Sequence, residues 1–163
     1  MKQLMLEMAE ANQYINRRWL RVLNEIPMED LDRPQGAFFD SIFGTLNHIL
    51  LTDRIWVGRI TGQLFPFQEL SERICETQEE FARERTRVDD VLLTMVSQEE
   101  NFSREIAYRT SGGQEYRQLM FQVLSHLFTH QHHHRGQVAQ MCSEQNIDVP
   151  EGGMLAYYRA IES

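Results

Sequence analysis

Along four stretches of this chain apolar residues recur at three- and four-residue steps, the period of an amphipathic helix. The first covers residues 2–23, where Leu4, Met8, Ala11, Ile15, Trp19 and Val22 share a face. Pro27 and Pro34, with Asp30 and Asp32 between them, end that pattern and mark a connection. A second helix is predicted over 39–61, stopped by Gly62 and followed by Pro66. Residues 69–75 carry no clear period, and a third helix is predicted over 77–98. Residues 104–110 then switch to polar–apolar alternation. Ser111, Gly112 and Gly113 follow, and residues 114–117 return as the second arm of a short hairpin. Such a hairpin needs a helix to pack against. A fourth helix is predicted over 118–145, ending near Asn146. Pro150, Gly152 and Gly153 separate it from a last short segment, 154–161. The pattern predicts one all-α domain spanning 1–163, a four-helix bundle with a small hairpin and a short C-terminal helix.

Composition narrows what such a bundle does. Apolar residues make up 42% and charged residues 25% of 163 positions, an ordinary globular balance. The net charge of -8 disfavours nucleic acid and anionic membranes as partners. All basic residues but Lys2 are arginines scattered among Asp and Glu, the pattern of a solvated, paired surface. No run approaches the roughly 18 apolar residues of a membrane span. The two cysteines, Cys75 and Cys142, form no CxxC and are too few for a disulfide framework. With no charged, then apolar leader before the first amphipathic segment, a cytoplasmic location is expected.

Histidine usage changes the picture. Five of six histidines fall in HLFTHQHHHRGQ, residues 126–137. At about 100° per residue, Met120, Leu124, Leu127, Phe128, Val138 and Cys142 form the apolar stripe of the fourth helix. His134 lies on its flank, His130 one step further round and His126 beyond. His133 lies further still from the core, and His132 lies off the other side. Histidines at i and i+4 present their rings side by side, the spacing with which a helix offers two ligands to one metal ion. His130 and His134 are the most inward such pair. Gln131 and Arg135 project into the stripe at the same level, and burying polar groups costs about 1–3 kcal/mol each unless they find partners. A polar layer there points to a cavity, an ion or a bound ligand.

A third ligand must come from another helix, and His48 is the histidine outside the cluster. Periodicity does not place it inward. The strongest stripe of the second helix holds Ile42, Leu46, Leu50, Val57 and Ile60, and His48 lies roughly opposite. Leu51 and Ile55 share its side, so this helix is apolar on two faces. One face could meet the core and the other a partner subunit, which predicts a homodimer. Asp53 lies on the main stripe, either as a general base or, in a structural role, orienting a histidine or pairing with Arg135 or Arg18. Cys142, about 12 Å along the helix axis from His134, is too far to join the same ion. Trp19, Trp56 and the methionines read as packing residues.

These segments together resemble the DinB family, metal-binding bundles of the damage-inducible type related to thiol-dependent transferases. LNHILLTDRIWVGRITG and HLFTHQHHHRGQV carry the resemblance, with NQYINRRWL at the opening helix and IAYRTSGGQEYRQ at the hairpin. It extends over nearly the whole chain and implies a four-helix bundle with a long crossover, commonly dimeric. It also implies a three-histidine metal site, which maps onto His48, His130 and His134. His126 falls outside the family's usual ligand set, as a residue behind the ligands or on the surface, and His132 and His133 are expected in solvent. One departure stands out: family members often carry an acidic residue before the closing aromatic segment, where this chain reads EGGMLAYY over 151–158. A pocket wall built by the C-terminus is therefore expected to differ.

Three neutral imidazoles would leave a divalent ion, zinc or nickel first among those that nitrogen ligands accept, with an open position. Such an ion either activates water for hydrolysis or favours the thiolate of a small-molecule thiol for transfer to an electrophile. Hydrolysis wants a nearby base. None is committed here, so a thiol-dependent S-transferase is the expected function. A metal-dependent hydrolase and a non-catalytic metal-binding protein of the stress response are the alternatives.

Overall fold

The computed structural model describes residues 1–110 and 112–162; Ser111, placed above in the hairpin turn, lies outside the described residues. The elements are α1 (Lys2–Leu23), α2 (Met28–Leu31), α3 (Ile42–Thr61), α4 (Gln78–Gln98), β1 (Glu105–Arg109), β2 (Glu115–Leu119), α5 (Met120–Glu144) and α6 (Met154–Ile161). The four predicted helices correspond to α1, α3, α4 and α5. The single helical turn α2 was not foreseen, because four residues after a proline are too few to show a period.

Local chemistry sets the boundaries. Thr77 caps α4 in a capping box, its hydroxyl accepting from the Glu80 amide while the Glu80 carboxylate accepts from the Thr77 amide. Gly62 ends α3 in the left-handed region at φ 78°. Helix α3 begins at Ile42 rather than near residue 39, because Ser41 caps it by accepting from the Gly44 amide. Residues 118 and 119, expected to open the fourth helix, instead finish β2. Gln118 pairs with Ile106 and Leu119 with Glu105 in the antiparallel ladder. The hairpin packs against α3 and α5.

The long helices close a ring in the order α1, α4, α3, α5, with α6 laid on α1. The links 24–41 and 99–119 therefore each cross a diagonal of the bundle. Ile15, Trp19, Phe43, Leu46, Leu50, Leu92, Leu124, Leu127 and Val138 fill the space between the helices. The second apolar face of α3 is covered within the chain, for Leu51 is 0% and Ile55 5% exposed. The pattern behind the expected dimer is thus accounted for inside one copy.

The polar layer read from Gln131 and Arg135 is part of a hydrogen-bonded network that ties the helices together. Arg85 of α4 bridges Asp53 of α3 and Asp89, and Asp89 accepts from Asn16 of α1 at 3.0 Å. Arg135 of α5 donates to Asn12, Asn16 and Gln131 at 2.8–3.1 Å. All four long helices contribute, and every member is buried. Asp53 pairs with neither Arg135 nor Arg18, the partners expected of it. Arg85 was missed because it sits among the exposed charges of the α4 sequence.

Candidate metal centre

The three histidines singled out from the sequence are brought together. The Nε2 atom of His130 lies 3.2 Å from Nε2 of His48 and 3.1 Å from Nε2 of His134. One ring nitrogen from each lies within 4.8 Å of the others, so this group could hold a metal ion.

What orients the rings was only partly legible. His48 Nδ1 is 2.8 Å from the Leu70 carbonyl, which can only accept, so that nitrogen carries the proton. The loop supplying this carbonyl is tied down by the neighbour of His48: the Asn47 side-chain oxygen accepts from the amides of Ile74 and Cys75 at 3.0 and 2.8 Å. His134 Nδ1 donates to Gln137 Oε1 at 2.7 Å, one turn on. Thr52 Oγ1, its own hydrogen directed at the His48 and Ile49 carbonyls, lies a long 3.5 Å from His130 Nδ1. His48 and His134 therefore each present a bare Nε2 toward Nε2 of His130. Two acceptor lone pairs face one imidazole nitrogen, an arrangement that a proton on His130 or a metal ion among the three satisfies.

Electrostatics keep the rings neutral. Burial, then the neighbouring His134 and His48, hold His130 down to about 3. Burial also lowers His48 and His134, against the hydrogen bonds they donate to the Leu70 carbonyl and the Gln137 side-chain oxygen, which raise them. Neutral imidazole is the form that ligates.

Phe39 closes one side. Its ring stacks on His48 with centroids 3.8 Å apart and stands edge-on to His134 at 5.7 Å. Glycine makes this possible: a Cβ on Gly44 would stand 2.1 Å from the Phe39 carbonyl oxygen, so the loop reaches the histidines only over a residue without one. Asp40 turns the chain there in the left-handed region, φ 67°. The apolar pattern alone puts Phe39 at the start of a helix. The only signal pointing elsewhere was Ser41 three residues before Gly44, a cap ahead of the apolar run.

The remaining candidates lie outside the cluster. His126 is exposed, against Trp56 at 5.5 Å and His130 at 5.7 Å. His132 and His133 are exposed, as expected. Asp53 is committed to Arg85, and burial pushes its carboxyl up to about 6. Cys75 and Cys142 are free, buried thiols that burial pushes up to about 11, unfit as nucleophiles. The C-terminal segment builds no wall at the histidines; α6 packs on α1, with Tyr157 and Tyr158 donating to Glu10 and Glu7. Among the described residues no helix is long and apolar enough to cross a membrane.

Comparison with known proteins places this geometry in context. The sequence model of the DinB family matches residues 1–145, a span that holds all three histidines. Protein DinB of Bacillus subtilis (strain 168) is 24% identical over 149 residues, covering 86% of each chain.

Proposed function

From the premise that this chain belongs to the DinB family, we propose that His48, His130 and His134 hold a divalent metal ion, zinc or nickel. We read the protein as a thiol-dependent S-transferase. The observation that carries the reading is the convergence of three Nε2 atoms, with His48 and His134 each set by an acceptor behind its ring. Three neutral ligands leave the ion its full charge and an open position, unlike the closed shell of a structural site. When bound, the ion supplies a positive charge that favours the thiolate of an incoming thiol.

The chain's own residues do the rest. Leu70 and Gln137 hold the His48 and His134 imidazoles in the ligating tautomer. Phe39 excludes water from one side and offers an apolar wall to the electrophile. The thiolate sulfur forms a bond to the electrophilic carbon, the bond to the leaving group breaks with its electron pair, and the thiol proton passes to solvent. No carboxylate belongs to the histidine cluster among the described residues, and Asp53 is held by Arg85, which favours transfer over hydrolysis. A homodimer remains part of the proposal, formed through a surface other than the covered face of α3.

The test is elemental analysis of tag-free protein together with a screen of low-molecular-weight thiols against a reactive electrophile. One ion per chain with thiol-dependent product supports the transferase. Turnover without thiol points to the hydrolase, and stoichiometric metal without turnover to a metal-binding stress protein. No retained ion removes the reading altogether.

A further inference from the structure

The far side of α5 faces a different environment. His132 is two residues from both His130 and His134, so at about 100° per residue it projects away from the metal centre. There α5, α1 and the turn before α6 enclose a cavity of about 350 Å³. Met8, Ile15, Phe128 and Met154 make its walls, Arg135 and Asn12 lie in its depth, and exposed Thr129 and His132 stand at its mouth.

Arg135 has the wrong partners for a buried cation. It is 7% exposed, yet makes no ion pair among the described residues. Its Nη1 donates to three neutral amide oxygens, and its Nε has no acceptor. Both carboxylates of the network are spent on Arg85, leaving two on one guanidinium and none on the other. No buried side-chain acceptor at this cavity lacks a partner. A buried guanidinium that no carboxylate neutralises calls for an anion, and apolar walls call for a hydrocarbon tail.

We propose that this cavity binds a monocarboxylate with a medium-length apolar tail, its carboxylate on Arg135 and its tail along Met8, Ile15, Phe128 and Met154. A Cβ on Gly153 would meet nothing within 4 Å, so the turn before α6 leaves open space there.

The test is calorimetric titration of full-length protein with octanoate and octanamide after removing metal with EDTA, so that no carboxylate is read at the histidines. Octanoate is expected to saturate at one per chain and to bind on the order of tenfold more tightly than octanamide, the difference between a charged and a neutral hydrogen-bonded head. Arg135→Met removes the charge but also cuts the core network. Thr129→Trp is therefore the companion variant: it fills the mouth from an exposed helical position, and it should abolish octanoate binding with the melting temperature kept. Absence of saturable octanoate binding, equal binding of the amide, or undiminished binding by a folded Thr129→Trp variant would each overturn the proposal.

Discussion

Replacing Arg85 with methionine probes the device that joins all four long helices. Its guanidinium lies between Asp53 and Asp89, which are 1% and 3% exposed. Methionine keeps much of the volume, so the cost is electrostatic: two buried carboxylates lose their shared cation. Removing one partner of a buried pair costs about 3–5 kcal/mol. At roughly 2–4 °C per kcal/mol for a chain of this size, the melting temperature at pH 7.5 should fall by about 6–20 °C.

The pH dependence makes the reasoning sharper. Burial already pushes the Asp53 carboxyl up to about 6 and raises Asp89 despite Arg85. A carboxyl whose folded pKa lies above its unfolded value near 3.9 favours folding when protonated. Its contribution is present below the unfolded value and is lost as pH rises through the folded one. Without Arg85 both folded values climb further, so the variant loses more over the same rise. The gap between wild type and Arg85→Met should be small at pH 4.5 and full at pH 7.5, and Asp53→Asn added to the variant should recover part of it. Thermal unfolding of EDTA-treated proteins at both pH values measures this. A gap below about 1 kcal/mol at pH 7.5, or one equal at both pH values, would refute the account, since buried pairs broken this way cost several times more.

Other perturbations address the metal centre and the assembly. Elemental analysis should find metal sharply reduced in His48→Ala, His130→Ala and His134→Ala but kept in His132→Ala and His133→Ala; full occupancy in His48→Ala would remove the third ligand. Burial holds His130 near 3, below the ordinary value of about 6.5, so its contribution to stability is full above 6.5 and is lost as pH falls toward 3. Bound metal should deepen that loss, and identical melting curves across pH 5 to 8 with and without EDTA would count against the site. Gly44→Ala drives a methyl into the Phe39 carbonyl and should cost about 1–3 kcal/mol. It should also move the His48 ring proton resonances by removing the stacked ring, and unchanged resonances would show that Phe39 does not depend on Gly44. Sedimentation at micromolar concentration should give a dimer, and a monodisperse monomer would end that part of the proposal.

Much of this protein was written locally along the chain. Apolar periodicity located the four long helices, Gly62 and Asn146 marked two of their ends, and alternation found the hairpin, because each is a property of neighbouring residues. The inward HxxxH of His130 and His134 came from the same arithmetic. His48 did not, because periodicity reports how many faces of a helix are apolar, not what covers each one. Only the tertiary structure showed that a loop tied by Asn47 lies over its back, carrying the Leu70 carbonyl to His48. Gln131 and Arg135 taught the complementary lesson. Their inward placement was legible on one helix, but the amide partners they meet come from α1, and the Arg85 that joins the network comes from α4. Hydrogen bonds between helices depend on rotation and register across the bundle, and those are set when four apolar faces pack at once.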